Sequence, residues 1–406
     1  MNKASENFLQ LELNALLEIT QAINNNFSEE DLYKIYNFTL RANLSIKRVA
    51  FFVWDNEFWI CKIHFGVEEI TLHNINPASY IKDNSTSIVN IKPEGNFDVL
   101  IPVVHKNTVL AAVFVGCDDS FNQEIKKHLF KFIQTLSNIL LVAIQNKRLV
   151  LKQLEQEAIK KDLELAAQVQ ALLFPKQLPF TDQYRLFSTY IPHQTIGGDY
   201  YDYIPISEQE FYICIADVSG KGIPAAIIMS NFQATLRALI VNNLELESII
   251  QKLNILTQNN TCSDFFITFF IALVNLTTNQ ISYVNAGHNP PLLIRKNLEF
   301  ISLQKGTVML GVFDELPFIE IGNETVRDKD LLFLYTDGLV ETENNFAIQF
   351  GEARLVELLF ENFNNSQEIL HQKIIDVLNH YKPQDSKFKD DITMFSLKIF
   401  EKKIVV

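Results

Sequence analysis

Acids recur at the tips of strand-like apolar runs in this chain, and that placement limits what it can fold around. Phe211 to Ala216 leads directly into Asp217-Val-Ser-Gly-Lys-Gly222, and Leu331 to Thr336 ends at Asp337-Gly338. Asp390-Asp391-Ile-Thr393 opens a further run, and Ile196-Gly-Gly-Asp-Tyr-Tyr-Asp202 supplies a fourth acid, Asp199. A carboxylate at the end of a buried strand loses its hydration and carries a large cost unless a cation waits there. Two carboxylates about 5 Å apart repel by roughly 3 kcal/mol at an effective dielectric near 20. Four converging acids therefore predict a metal site.

Charge and length narrow the alternatives. With 48 acidic and 35 basic residues the formal net charge is −13, and no basic block stands out. Phosphate-backbone binding needs clustered Lys and Arg, so nucleic acid is not an expected partner. The longest nearly unbroken apolar stretch, Phe265 to Val274, falls far short of the roughly 20 residues that span a bilayer. The N-terminus enters an amphipathic pattern containing Glu12 and Glu18 instead of a signal-peptide apolar segment, and a cytoplasmic protein without a membrane span is expected. Cys61, Cys117, Cys214 and Cys262 are widely separated with no Cys-x-x-Cys spacing, which indicates neither zinc nor disulfides. They read as buried small hydrophobes.

The 406 residues suffice for two domains. Residues 1–145 begin with helical spacing of Leu11, Leu13, Leu16, Leu17, Ile19 and Ile23, then pass to short β runs around Val49–Trp54, Phe58–Ile63, Val99–Val104 and Val109–Val115. The last two read as a hairpin turning at His105 to Thr108. Helical periodicity resumes near Gln123 and continues without Pro or Gly until Pro175. Residues 146–175 are read as a helical linker, either a solvated connector or a parallel coiled coil in a homodimer. Lys147 and Lys161 interrupt its apolar seam. Residues 176–400 alternate many short strands with two helical stretches, one after Pro224 and one covering 351–360 and 366–380, which predicts an α+β domain.

Six ordered elements then carry a resemblance: Gly197-Gly-Asp-Tyr-Tyr-Asp202, Asp217-Val-Ser-Gly-Lys-Gly222-Ile-Pro-Ala-Ala226, Tyr283-Val-Asn-Ala-Gly-His-Asn-Pro-Pro291, Leu334-Tyr-Thr-Asp-Gly338 with Glu341, Phe350-Gly351, and Asp390-Asp-Ile-Thr393. Over roughly residues 160–400 the chain closely resembles the sporulation- and sigma-factor-regulating (SpoIIE-like) branch of the metal-dependent serine/threonine phosphatases, relatives of protein phosphatase 2C. The resemblance implies two packed β-sheets flanked by helices, with two divalent cations, Mn²⁺ or Mg²⁺, in a cleft at one end. It implies that Asp217 bridges both ions, that Asp337 and Asp390 complete one, and that Asp199 and the Val218 carbonyl serve the other. Asp217 and Asp199 are then the catalytic core, acting through metal-activated water. No Cys-x5-Arg element is present, and Ser219 has no evident His-Asp partners. The implied substrate is a phosphoserine or phosphothreonine protein, such as an anti-sigma-factor antagonist in a partner-switching or stress pathway.

Secondary positions are Gly198, Lys221, His288 and Asp391. Lys221 reads either as a ligand for substrate phosphate or as a solvated turn lysine, and His288 either as a proton donor or as a hydrogen-bonded turn histidine. Asp391 is expected to orient Asp390 or to touch a further metal. Tyr200, Tyr201 and Asp202 read as packing groups. Eukaryotic relatives hold phosphate with an upstream arginine, whereas His193 and Gln194 occupy that neighbourhood here.

Residues 1–145 resemble a GAF domain, the small α/β sensory fold, which implies a regulatory or dimerising role and room for a small-molecule ligand. The Asn-Lys-x-x-Phe-x-x-x-Asp-Glu element of cyclic-nucleotide binders is absent. Phe51, Trp54, Trp59 and Phe65 read either as pocket lining or as core. Two other functions remain open on sequence grounds: a different two-metal phosphoesterase, and a catalytically silent scaffold.

Overall fold

The computed structural model describes residues 3–42, 44, 46–55, 57–69, 72, 75–81, 87–91, 97–105, 108–117, 123–242, 244–261, 264–384 and 386–400. The chain divides into two compact units, Met1–Glu157 and Ala158–Val406.

In the first unit, α1 (Lys3–Asn24) and α2 (Glu29–Ala42) precede β1 (Arg48–Trp54), β2 (Trp59–Phe65), β3 (Val89–Asn90), β4 (Val99–His105) and β5 (Thr108–Gly116). The strands form one antiparallel sheet in the order β2-β1-β5-β4-β3. Successive side chains point to opposite faces, and the nearly continuous apolar runs of β1, β4 and β5 make both faces apolar. Phe51, Val53, Val113 and Val115 pack under the helices, while Phe52, Ala112 and Phe114 pack with Leu72 and Phe97 on the other side. β4 and β5 pair down to His105 and Thr108, as the predicted hairpin requires; its connecting residues 106–107 lie outside the described residues. Phe51 is fully buried core, and Trp54 faces Trp59 across the strands at 5.4 Å. A groove of about 520 Å³ in this unit is lined by Glu29, Tyr33, Lys34, Lys62 and His64.

The long helix is continuous: α3 spans Gln123–Ala171, 49 residues. Its first half buries Leu129, Ile133, Leu136, Leu140 and Ile144 at three- and four-residue spacing. Lys147 is more than a polar interruption of a seam. Its Nζ donates to the carbonyls of Asn26 and Phe27, just past the end of α1, at 3.1 and 2.7 Å. Arg148 pairs with Glu29 alongside. From Leu149 onward the side chains Leu151, Leu154, Ile159, Leu165 and Val169 are all more than half exposed.

The second unit is built on β6 (Tyr184–Ile191), β7 (Tyr200–Pro205), β8 (Glu210–Val218), β9 (Ile267–Asn275), β10 (Gln280–Ala286), β11 (Leu292–Ile294), β12 (Phe300–Ser302), β13 (Gly306–Thr307), β14 (Gly322–Thr325), β15 (Leu331–Tyr335) and β16 (Ile392–Ile399). One sheet runs β13-β10-β9-β8-β7 with β14 beside β10, and the other runs β12-β11-β15-β16-β6. Alternation along β15 shows how the layers stack. Leu332 and Leu334 enter the core shared by the two sheets, while Leu331, Phe333 and Tyr335 pack under the helices of the second sheet.

Those helices are α7 (Glu352–Glu361) and α8 (Gln367–Tyr381), with the single turn α6 (Asp337–Val340) before them. On the other side lie α4 (Ile223–Val241) and α5 (Leu246–Thr261). The sequence reading missed α5. Its seam of Leu246, Ile249, Ile250 and Leu253 is short and runs into the polar stretch Thr257–Thr261, which masks the periodicity. Among described helices α4 alone is long and apolar enough to cross a membrane, but Ala225, Met229, Phe232, Leu236 and Ile240 bury one of its faces in the core.

Asp202 lies on β7 with no exposed surface and clamps α4 to the sheet. Arg237 reaches both carboxylate oxygens at 2.7 and 2.9 Å, and the Tyr200 hydroxyl donates to the same group. This fork geometry satisfies most of the buried acid. Cys117 and Cys214 are buried and free as expected, Cys61 is only half-buried, and Cys262 lies outside the described residues. Arg237→Ala strands a desolvated carboxylate beneath α4. A loss of about 2 kcal/mol is expected, discounted because the guanidinium is partly solvated, and urea unfolding of the variant would measure it.

Candidate metal centre

The four strand-end acids meet at one edge of the sandwich. Asp217 is the penultimate residue of β8, Asp199 immediately precedes β7, Asp337 begins α6 after β15, and Asp390 lies two residues before β16. β7 pairs with β8, and β15 with β16, so adjacent strands deliver acids in pairs. The charges of Asp337, Asp390 and Asp391 all act on Asp217, and the charge of Asp217 acts on Asp199.

Close backbone approach makes this convergence possible. A Cβ on Gly197 would sit 2.0 Å from Asp391 Oδ2 and 2.2 Å from the Tyr190 hydroxyl, and one on Gly338 would sit 2.0 Å from the Asp391 carbonyl oxygen. Only glycine fits at either point. Gly198, a secondary position from the sequence, packs against the Val218 carbonyl oxygen, 2.9 Å from where its Cβ would be. That places the Val218 carbonyl beside the Asp199 segment.

Donors around the acids fix their orientation. Thr336 and Thr393 both donate to Asp199 Oδ2, at 2.9 and 2.5 Å. Asp391 is buried and accepts the backbone N–H groups of His193 and Gly198 at 2.7 and 2.9 Å, so it holds the glycine loop in place. From the end of α3, Gln170 Nε2 donates to the Gly197 carbonyl at 2.7 Å, and Phe174 stacks on Tyr201 with centroids 5.0 Å apart. The sequence reading gave no role to Thr336, Thr393 or Gln170. The two threonines stand inside the quoted motifs, each at the tip of one strand of the β15–β16 pair, and that symmetry was the available signal.

The electrostatics are those of crowded, desolvated carboxylates. Burial first, then the charges of Asp337, Asp390 and Asp391, push the Asp217 carboxyl up to about 8. Burial, followed by Asp217 and Asp391, drives Asp199 well above the usual carboxylate range despite its two threonine donors. Burial and then Glu341 and Asp390 raise Asp337. A carboxyl raised in the folded state binds more protons folded than unfolded, so its contribution falls as pH rises through that interval. These acids therefore destabilise the protein on its own near neutrality, and a divalent cation reverses the sign.

The donor set fits such a cation. It is all oxygen, which suits Mg²⁺ or Mn²⁺ over zinc. As placed, no group of three or more His, Cys, Asp or Glu closes into a cage among the described residues. Asp199 is turned to its threonines, and Asp390 to the ammonium of Lys221 at 2.6 Å. Lys221 also donates to the Lys389 carbonyl at 2.6 Å and is felt by Asp337. The Lys221 ammonium thus pairs with Asp390, and its charge lowers Asp337 slightly against the causes that raise it. Ligand spheres completed by water are the norm for hard ions that dehydrate reluctantly.

Two other sequence candidates are placed differently. His288 is buried, its Nδ1 bonds to the Thr268 hydroxyl at 2.8 Å, and burial lowers its pKa to about 4. The Nδ1 side is thus held as the turn-histidine reading expects, while the buried Nε2 has no hydrogen-bond partner among the described residues. Ser219 exchanges hydrogen bonds with Phe266, ties the loop to the start of β9, and has no histidine partner among the described residues.

Comparison with known proteins agrees with this architecture. The profile of the Stage II sporulation protein E (SpoIIE) family matches residues 207–400. Phosphoserine phosphatase RsbU of Bacillus subtilis is 30% identical over 246 residues, covering 60% of this chain and 71% of RsbU. Phosphoserine phosphatase RsbP of the same organism is 28% identical over 236 residues, which is 57% of this chain and 56% of RsbP. The SiaA-PP2C domain of Pseudomonas aeruginosa superposes with a TM-score of 0.53 at 19% identity, covering 61% of this chain and 99% of that domain, which shows the fold. The chain belongs to the SpoIIE family of PP2C-type serine/threonine phosphatases.

Lys221→Met removes the ammonium that offsets Asp390 and Asp337. The variant is expected to melt lower than the wild type in EDTA and to gain more on adding Mn²⁺, because the ion then has no internal rival. Thermal unfolding with and without Mn²⁺ reads both; an unchanged Mn²⁺-induced gain contradicts the assignment.

Proposed function

We propose that this chain is a Mn²⁺/Mg²⁺-dependent phosphoserine/phosphothreonine protein phosphatase, governed by its first unit acting as a GAF-like sensory or dimerising domain. The observation that carries the catalytic reading is the meeting of Asp199, Asp217, Asp337 and Asp390 at one edge of the sandwich, desolvated and mutually repelling. RsbU and RsbP bear the name phosphoserine phosphatase, which supports a phosphoserine protein as substrate. An anti-sigma-factor antagonist in a partner-switching pathway and a cytoplasmic setting are the corresponding proposals.

Asp217 would bridge two ions, with Asp337 and Asp390 completing one and Asp199 and the Val218 carbonyl holding the other. When bound, the ions supply charge neutralisation, an acidified water and polarisation of the phosphoryl oxygens. The chain's own part is positional. Thr336 and Thr393 fix the Asp199 carboxylate, Asp391 fixes the Gly197-Gly198 backbone, and β8 presents Asp217 from a rigid strand. Direct attack of water requires no protein nucleophile, in keeping with Ser219 being held by Phe266. Asp217→Asn is expected to abolish hydrolysis of p-nitrophenyl phosphate at saturating Mn²⁺ while leaving the far-UV spectrum unchanged. EDTA should silence the wild type reversibly, with Mn²⁺ or Mg²⁺ restoring it better than Ca²⁺, which prefers looser coordination. Activity that survives either treatment rules out the two-metal reading.

For regulation, the β2-β1-β5-β4-β3 sheet with the long helices packed on one face supports the GAF-like reading of the first unit. The exposed stripe Leu151, Leu154, Leu165 and Val169 on α3 supports a parallel coiled-coil homodimer. Gln170 and Phe174 would then pass a shift of that helix to the Gly197 loop. The docking of Lys147 onto the end of α1 removes it as a free register switch and leaves Lys161 as the remaining polar break. Leu154→Asp with Leu165→Asp should convert a dimer to a monomer in sedimentation; a wild type that is already monomeric contradicts the coiled coil.

A further inference from the structure

Most donors that face the acids are already committed. Thr336 and Thr393 both serve Asp199 Oδ2, and Asp391 takes the His193 N–H on Oδ1 and the Gly198 N–H on Oδ2. The hydroxyl of Tyr190 is different. Its oxygen is buried and has no hydrogen-bond partner among the described residues. It approaches Gly197 from the same side as Asp391 Oδ2, since a Cβ on that glycine would lie 2.2 Å from the one and 2.0 Å from the other. Burial, then the charges of Asp391, Asp199 and Asp217, push its pKa up, so the group keeps its proton and stays a donor.

The hydroxyl is also held in place. Tyr190 is the penultimate residue of β6 and pairs with Thr393 of β16, the residue whose hydroxyl holds Asp199. Residues directly opposite one another in an antiparallel pair set their side chains on one face of the sheet. The Tyr190 ring packs against Phe174 with centroids 5.3 Å apart, and Phe174 stacks in turn on Tyr201. A ring gripped in this way leaves the hydroxyl little freedom beyond rotation of its own proton.

A buried hydroxyl without a partner costs free energy, and a phenylalanine would fill the same space without that cost. Among carboxylates, the group best suited to satisfy it is a small polar one that arrives with the charge they attract. Hard divalent ions keep several of their waters when bound by carboxylates, and groups behind the ligands orient such a sphere. A phenol hydroxyl can give a bond to a water and also take one from it.

We propose that Tyr190 is a positioning residue of the metal centre, its hydroxyl bonding a water in the ligand sphere of the divalent ion that Asp199 would hold. The proposal rests on the two-metal reading of the acids and adds to it a group outside the motifs that carry that reading. In the protein free of ions the hydroxyl contributes nothing to stability, because it has no bond to lose. With ions bound it contributes to their retention. A tyrosine hydroxyl bonded only to the fold would behave in the opposite way.

Tyr190→Phe in the full chain separates the two cases. Metal-stripped wild type and variant are melted in EDTA, and each is titrated calorimetrically with Mn²⁺ alone, without substrate. The melting temperature in EDTA is expected to be equal or higher in the variant, since an unsatisfied polar atom has been removed. Mn²⁺ should bind about 10-fold more weakly at one of the two sites, the usual scale for losing a group behind a metal ligand. The rise in melting temperature on adding Mn²⁺ should shrink accordingly. A lower melting temperature in EDTA marks the hydroxyl as an ordinary structural bond and overturns the proposal, as do Mn²⁺ affinities equal to those of the wild type. A wild type that binds no Mn²⁺ overturns the two-metal reading and the proposal with it, so the two failures are told apart by whether the wild type itself responds.

Discussion

Mutual repulsion among desolvated carboxylates is the constraint on which the second unit turns. Asp217 is pushed up to about 8 by burial and by Asp337, Asp390 and Asp391, and Asp199 is raised by burial and by Asp217. A fold optimised only for stability would disperse such charges. Here they are gathered and held by directed donors: two threonine hydroxyls on Asp199 and two backbone amides on Asp391. The arrangement is stable in proportion to the positive charge brought to it, and Lys221 supplies one such charge from within the chain.

The rest of the unit can be read as the means of keeping those strand ends together. β15 is buried on both faces because one alternation fills the space between the sheets and the other fills the space under α7 and α8. Its end, and hence Asp337, has little freedom to move. β16 lies between β15 and β6, so Asp390 and Asp391 are anchored from both sides. The Asp202–Arg237 clamp fixes α4, whose N-terminal end follows the Asp217 loop. Gly197 and Gly338 permit approaches that any side chain would block.

Much of this was legible in the sequence because strand periodicity and abrupt acid endings are local signals. The runs ending at Asp217 and Asp337 became β8 and β15 nearly as read, and α3 extends almost to the predicted stop at Pro175. What could not be read depends on contacts between distant positions. Thr336 and Thr393 reach Asp199 across 137 and 194 residues, and no local pattern assigns those bonds. Lys147 looked like a fault in a heptad because its real partners, the carbonyls beyond α1, lie 121 and 120 residues away. α5 was missed because polar residues dilute its seam, and packing of that seam into the core beside α4, not its own propensity, decides its helicity.

The central claim is that the four strand-end acids are a site for two divalent cations organised around Asp217. Calorimetric titration of Mn²⁺ into metal-stripped protein tests it without reference to any substrate. The account predicts two ions per chain for the wild type and loss of both sites in Asp217→Asn, since that residue alone would bridge them. A wild type that binds no Mn²⁺, or an Asp217→Asn variant that binds two ions with unchanged affinity, would contradict it.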